Sequence, residues 1–401
     1  MTRVAIVTNY IPDYRYPVFQ RVKELCNAQL QFFTSSPIEH SCELARTNLA
    51  IKPSRGLNIS FSTIHKASGT TQRELLPLPL SLATDLMRFQ PHVIISGDFG
   101  LRSLLCWATS RLTRARFILW SEDIISSARN RSPLQKFLRR FLVKRAHGFL
   151  AWGLPSRDYL LSLGAQSEHV HLCQQAVDNE FWMRQSDLLE RMTLRRELNC
   201  HGPTFLLAGR LVERKGFHNF IHAWRIAGAT LDHCCAIIVG SGEQLESLQQ
   251  LVDHHRISNI RFVPAQSPQQ LARYYAAADV FVFPSLEDVW GMVVNEALCF
   301  NLRILASKHA GASQGLIAGV MPDCIFDPGD IQEFSDKLIA SVNQCYFEKN
   351  DRGRELLNGI TFESSAITIA GVLNDSMFAE ARPLRNLSGA SDRTLADQLL
   401  P

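Results

Sequence analysis

Two carboxylates, Asp288 and Glu296, bracket a glycine in the run Pro284-Ser285-Leu286-Glu287-Asp288-Val289-Trp290-Gly291-Met292-Val293-Val294-Asn295-Glu296-Ala297-Leu298. An apolar run, Asp279-Val280-Phe281-Val282-Phe283, precedes it and reads as a strand. A carboxylate at the C-terminal end of a strand accepts two or more O–H bonds at a fixed point, which suits a hydroxyl-rich ligand. Gly291 admits backbone close to such a ligand. The helix that follows begins near Met292 and Val293, where free N–H groups can meet a phosphate. The plainer alternative for Asp288 is a helix cap.

A second stretch carries positive charge: Thr204-Phe205-Leu206-Leu207-Ala208-Gly209-Arg210-Leu211-Val212-Glu213-Arg214-Lys215-Gly216. A strand ends at Gly209, and Arg210 and Lys215 follow five positions apart. Arginine offers a planar fork and lysine a point charge, the two means of matching a diphosphate. Taken alone, the stretch reads equally as a solvated basic loop. Gly240-Ser241-Gly242 also stands between a strand and a helical pattern. It reads as a ligand-facing loop or as a tight turn, because a lone Gly-x-Gly is weak evidence. Pro264-Ala265-Gln266 is a further strand-end loop.

Ser285, Trp290, Gly291, Glu296 and Ala297 together resemble the donor-binding signature of the retaining GT-B glycosyltransferases of family 4, the glycosyl transferases group 1. Asp288 stands where that signature has its first glutamate, and Glu287 beside it does not restore the spacing. Aspartate is one methylene shorter, so its reach differs. The resemblance implies that Arg210 and Lys215 hold the donor diphosphate, Glu296 the ribose hydroxyls and Asp288 the donor sugar. Gly209, Gly240, Gly242, Ser285, Gly291, Met292 and Val293 complete the implied donor site. The implied reaction moves a sugar from a nucleotide-diphosphate sugar to a hydroxyl of a saccharide or lipid-linked saccharide, with retention. The sugar nucleotide is then a co-substrate, and no cofactor is expected. No Asp-x-Asp motif occurs, so metal-independent chemistry is expected. A nucleotide-sugar-binding protein without transferase activity and a GT-B sugar-nucleotide epimerase remain as other classes.

Three strand-end loops of the first half carry polar residues: Arg15 after the first strand, Asp98 in Ser96-Gly97-Asp98-Phe99-Gly100, and Glu122 with Asp123 after Trp120. Arg15, Asp98 and Glu122 are candidates for the acceptor side. Turn chemistry and helix capping are the alternatives for each.

These residues need a scaffold of strands alternating with helices. Strand-like runs occur at 4–9, 30–34, 59–62, 93–96, 117–120, 148–152 and 170–173, then at 204–208, 236–239, 260–263, 280–283, 303–307 and 324–326. Such alternation predicts doubly wound parallel sheets. With 401 residues and the family resemblance, the expectation is a GT-B fold: two Rossmann-like domains facing a cleft. Residues 1–185 form the acceptor-side domain and 186–360 the nucleotide-sugar-binding domain. Residues 361–381 form a helix crossing back to the first domain, and 382–401 a flexible tail.

Bulk properties narrow the setting. Apolar content of 46% and charged content of 20% are those of an ordinary globular chain. A net charge of +4 argues against a nucleic-acid partner. Ten cysteines without a C-x-x-C pair fit reduced thiols and show no zinc spacing. No apolar run approaches the roughly 18–20 residues of a membrane span. The expected location is cytoplasmic, with the inner face of the membrane as a candidate surface. Residues 131–145 are periodic, with Leu134, Phe137, Leu138, Phe141 and Leu142 on one face and cations on others. That face is expected in the core, with membrane contact as the alternative.

Overall fold

The computed structural model describes residues 1–35, 49–64, 71–128, 131–345 and 352–378. The tail expected at 382–401 lies outside the described residues. The strands are β1 Thr2–Thr8, β2 Ala28–Thr34, β3 Ala50–Pro53, β4 Leu57–Ile64, β5 Thr71–Leu78, β6 Val93–Ser96, β7 Arg116–Ser121, β8 Gly148–Trp152 and β9 Val170–Cys173. The second half adds β10 Thr204–Ala208, β11 Cys235–Val239, β12 Ile260–Val263, β13 Val280–Phe283, β14 Arg303–Ser307 and β15 Ile325–Phe326.

Two parallel sheets result. The first has the order β3-β2-β1-β6-β7-β8-β9 and the second β12-β11-β10-β13-β14-β15. Each is covered on both faces by helices, with one apolar cluster per face. That explains why the central strands are apolar throughout: all five residues of β10 are buried, and a parallel strand packed on both faces has no polar side to show. The strand order reverses between β1 and β6 and again between β10 and β13. Ligands of doubly wound sheets bind beyond the strand C-termini at such a reversal. The loops carrying Arg210 and Asp288 follow β10 and β13, the two strands that flank the second reversal.

Sequence and structure differ in three places. The run at 59–62 belongs to an antiparallel hairpin, β4 with β5, outside both parallel sheets. The sequence pattern missed β3 and β5. β3 is a four-residue edge strand with little burial, and β5 carries charges and a proline, so neither shows an apolar run. The third difference is the helix Pro133–Val143. Its start is legible, because Ser132 and Gln135 form a reciprocal capping box. Its apolar face is not wholly in the core. Leu142 and Val143 are buried, but Leu134 and Phe137 are 74% and 66% exposed. Arg139 takes the buried position on this helix, donating to Asp123 and, at 2.8 Å, to the Tyr159 hydroxyl. That rotation leaves the first turns pointing to solvent.

The helix Phe362–Phe378 packs on the first sheet. Ala366, Ile369, Ala370 and Leu373 join Tyr16, Phe19 and Val22 in one cluster. Arg21 meets Glu363 at 2.7 Å and Ser365 donates to the Gln174 carbonyl at 2.9 Å. Leu373 is fully buried there. Leu373→Ala is expected to destabilise the chain by about 2–5 kcal/mol. A urea titration followed by circular dichroism measures it, and a loss below about 0.5 kcal/mol, the range of ordinary surface substitutions, would contradict the packing.

Candidate donor-binding site

The loop after β10 and the loop after β13 are stitched together. The Ser285 hydroxyl donates to the carbonyls of Arg214 (3.0 Å) and Glu287 (3.1 Å), and the Leu286 N–H donates to Arg214 at 2.8 Å. Gly216 sits at φ +70°, and a Cβ there would lie 2.0 Å from the Pro284 carbonyl oxygen. Only glycine permits that approach. Ser285 is therefore fully buried, and its hydroxyl holds the two loops together instead of meeting a donor. This corrects its expected role.

The stitch brings Lys215 to Asp288, and their charged groups form a short ion pair. The other Asp288 oxygen accepts the Trp290 N–H at 3.3 Å. The Asp288 backbone is tied to the segment after β14: its N–H donates to His309 at 3.4 Å and its carbonyl accepts from Gly311 at 3.1 Å. Burial pulls the Lys215 ammonium below its ordinary pKa, with Asp288 opposing and the charges of Arg214 and Arg210 adding to the depression. Arg210 is exposed and has no partner among the described residues. It is an open cation beside a half-buried one.

Gly209 ends β10, its N–H donating to Val239 at 3.0 Å. Gly240 and Gly242 underlie this loop. A Cβ at Gly240 would lie 1.9 Å from the Gly209 oxygen, and one at Gly242 2.3 Å from the Leu211 oxygen. Leu211 exchanges backbone bonds with Ser241 and Gln244, each at 3.0 Å. The two glycines thus have a packing reason: they support the Arg210 loop from below. Ala265, in the next loop, donates to the Ser241 hydroxyl at 3.1 Å.

Gly291 (φ +102°) precedes the helix Met292–Cys299. Met292 and Val293 open that helix, so their N–H groups have no partner within it. Glu296 lies one turn on. Its carboxylate accepts from the Tyr275 hydroxyl at 2.9 Å. Burial raises its pKa to about 7, with the Tyr275 hydrogen bond opposing. Tyr275 is fully buried, stacked on Phe300 at 5.4 Å and edge-on to Trp182. No sequence signal pointed to Tyr275, because the helix Pro268–Ala277 shows it only as one of its apolar stripe.

The first domain meets this loop through Trp290. The ring is 3% exposed and lies where a Cβ on Gly153 would come within 2.5 Å of it. Its Nε1 donates to Asn295 at 2.8 Å, and Asn295 donates to the Gln175 carbonyl at 2.8 Å. Asn295 adjoins Glu296 in the motif, yet its partner is 120 residues away.

Of the acceptor-side candidates, Glu122 is about one-third exposed. Its Oε1 accepts from Trp120 at 3.1 Å and pairs with Arg15 at 2.9 Å. Arg15 is corrected: it is fully buried, stacked 3.4 Å from the Trp152 ring and 4.6 Å from that of Trp120. It anchors Glu122 and Gln175 instead of meeting a ligand. Asp98 is corrected as well. Its carboxylate accepts from the Gly100 N–H, the Ser103 hydroxyl and Arg102, so it closes its own loop. Asp123 is held by Arg139 and Arg131. Among the described residues, no group of three or more His, Cys, Asp or Glu side chains is placed to hold a metal ion.

Residues 194–352 match the family model described as glycosyl transferases group 1. A lipopolysaccharide 1,2-N-acetylglucosaminetransferase of Salmonella typhimurium is 27% identical over 39% of this chain and 43% of its own. The lipopolysaccharide core biosynthesis glycosyltransferase LpsE of Rhizobium meliloti is 30% identical over 42% of this chain and 48% of its own. The chain thus spans less than half the length of these curated relatives. Among solved structures, Anabaena HepE in complex with UDP superposes with a TM-score of 0.73 at 16% identity, over 94% of this chain and 100% of that one. The fold is the GT-B fold, and residues 194–352 are similar to the glycosyl transferases group 1 family.

Proposed function

We propose that this chain is a retaining, hexosyltransferase-type glycosyltransferase of family 4. It moves a sugar from a nucleotide-diphosphate sugar to a hydroxyl acceptor, in the assembly of cell-envelope polysaccharide or lipid-linked oligosaccharide. The observation that carries the reading is the meeting of Lys215 and Asp288 on the loops beyond β10 and β13, with Arg210 on the first of these loops and Glu296 in the helix that follows the second. The UDP named for the Anabaena neighbour and the lipopolysaccharide relatives support the donor class and the setting.

The diphosphate sits between the open Arg210 and Lys215, near the Met292 and Val293 N–H groups. Cations fixed there stabilise the charge that develops as the sugar–phosphate bond breaks. Glu296 accepts from the ribose hydroxyls and Asp288 faces the sugar while holding Lys215 in place. The acceptor enters beside Glu122. Its oxygen bonds to the anomeric carbon on the face the phosphate leaves, and its proton passes to the departing phosphate oxygen. Closure of the cleft excludes water, which would hydrolyse the donor. Divalent metal is not required in this scheme.

One observation favours the inactive, donor-binding alternative. The Asp288 carboxylate is committed to Lys215 and the Trp290 N–H, and its shorter side chain leaves less reach toward a sugar. If the alternative holds, the parent chain binds nucleotide sugar without transferring it, and Asp288→Glu gains transfer.

The acceptor domain also suits a membrane surface. Leu134, Phe137 and Ile125 (52%) are exposed large apolar side chains, and Lys136, Arg140 and Lys144 are exposed on the same helix or its end. The helix has no acidic residue. We place peripheral contact with an anionic leaflet here, on the cytoplasmic face.

Three outcomes are expected. In an isotope-transfer assay run with a chelator, the parent chain transfers sugar, and Lys215→Ala lowers turnover by about 10²–10³-fold with an unchanged circular dichroism spectrum. Near-normal turnover in Lys215→Ala would remove it from its role.

Donor affinity should weaken as pH falls through about 7, where Glu296 gains its proton. Tyr275→Phe removes the bond that lowers that pKa, so the weakening should begin at higher pH, with affinity about tenfold poorer overall. A pH profile of nucleotide-sugar binding by calorimetry measures both, and an unshifted midpoint in Tyr275→Phe would detach Tyr275 from Glu296.

Vesicles rich in anionic phospholipid should sediment the parent chain at low salt and release Phe137→Glu. Equal sedimentation of both would move the contact elsewhere.

A further inference from the structure

The Trp290 ring fills a slot between two glycines. Gly153 follows β8 and starts the helix Leu154–Ser162 of the first domain. A Cβ there would lie 2.5 Å from Cζ3 of the ring. Gly315 belongs to the second domain, in a turn wound as a π-helix over Ser313–Ile317. A Cβ there would lie 2.9 Å from Cη2 and 3.0 Å from Cζ3 of the ring, and 3.4 Å from Cδ of Pro155. Gly315 has no positive φ, so the ring, rather than the backbone, asks for glycine there. Single π-turns recur where function interrupts a regular helix. The indole Nε1 donates to Asn295, and Asn295 donates to the Gln175 carbonyl. Gln175 lies on the connector between β9 and the helix Asn179–Leu188. The ring is thus held by both domains and by the segment that joins them.

The backbone of the same residue reaches the Lys215–Asp288 pair. The Trp290 N–H donates to Asp288 Oδ1 at 3.3 Å, and the Trp290 carbonyl accepts from Ala312 at 3.0 Å. Asp288 Oδ2 takes the Lys215 ammonium. The loop has no slack in which to absorb a shift. Gly311 donates to the Asp288 carbonyl at 3.1 Å, and a Cβ on Gly311 would lie 2.0 Å from the Val289 carbonyl oxygen. Close-packed interiors transmit strain. A displaced ring therefore moves the Trp290 backbone, and with it the N–H that Asp288 accepts.

We propose that Trp290 is a positioning residue that ties the contact between the two domains to the Lys215–Asp288 pair. With the ring seated between Gly153 and Gly315, Asp288 keeps both the Trp290 N–H and the Lys215 ammonium. With the ring lifted, Asp288 loses the N–H and the pair loosens. The effect on turnover rests on the donor-site reading proposed above; the effect on the pair does not.

Gly315→Ala sets one methyl group against the ring and leaves the backbone unstrained. In the full chain without a donor, acetylation by sulfosuccinimidyl acetate, read by peptide mass spectrometry, should modify Lys215 at least about threefold faster in this variant than in the parent. Lys52 and Lys337 should keep their parental rates; the first pairs with Asp85 and the second donates to the Asp323 carbonyl, so they report on other parts of the fold. Asn295→Ala, which frees the indole N–H without adding bulk, should accelerate Lys215 in the same way. With a nucleotide sugar, Gly315→Ala should lose about tenfold or more in turnover and less in donor affinity by calorimetry. In the parent chain, hydrogen exchange should protect the Trp290 and Ala312 amides to the degree of β13. Exchange of those amides at the rate of an exposed loop would overturn the proposal without any variant. So would a parental rate at Lys215 in Gly315→Ala, or an equal acceleration at Lys215, Lys52 and Lys337. A parent chain that transfers no sugar would strike the donor-site reading and leave the acetylation and exchange results to decide the role of Trp290.

Discussion

The ion pair between Lys215 and Asp288 joins two loops 73 residues apart in the chain, and the arrangement of the loops beyond β10 and β13 depends on it. Neither partner is comfortable alone. Burial disfavours the Lys215 ammonium, and the Asp288 carboxylate is almost wholly buried. Removing one member of such a pair costs about 3–5 kcal/mol, because the other charge is left uncompensated. The pair is possible only because β10 and β13 are neighbours in the sheet, which puts their C-terminal loops side by side. Ser285 and Gly216 then close the remaining gap with backbone contacts. Arg210 stands next to this assembly with no partner of its own, so the site carries positive charge that no described side chain neutralises.

The first domain uses a different solution for a buried cation. Arg15 lies against the indole rings of Trp120 and Trp152, whose faces attract its guanidinium. Glu122 and Gln175 take its Nη2. Gln175 continues the line through its carbonyl to Asn295, and Asn295 accepts from Trp290. Five side chains thus connect the end of β7 with the loop that carries Asp288. Glu122 and the loop that carries Asp288 are joined by one continuous set of contacts, which fixes the loop ends of the two domains against each other.

Much of this was legible beforehand. Strands β6, β8, β10, β13 and β14 stand at the positions the apolar runs mark, since a strand buried on both faces must be apolar along its length, and the partly buried edge strands β9 and β12 stand at marked positions too. The motif residues could be placed at strand ends for the same reason. The hairpin β4–β5 and the edge strand β3 were not legible in their pairing, because a strand with one neighbour or one covered face needs no such run.

The sequence by itself determined the sheet architecture and the chemical character of the strand-end loops, because both rest on local periodicity and residue type. It did not decide which polar groups are open. Arg15, Asp98 and Ser285 look like ligand contacts on paper, yet each is committed to a protein partner. Tyr275 and Asn295 carry no sequence signal of their own, and they hold Glu296 and the domain contact. Gly153 and Gly315 lie in different halves of the chain, and only the folded chain closes both on the Trp290 ring. Partnership and exposure are long-range properties, fixed when strands distant in sequence become neighbours, and no local pattern encodes them.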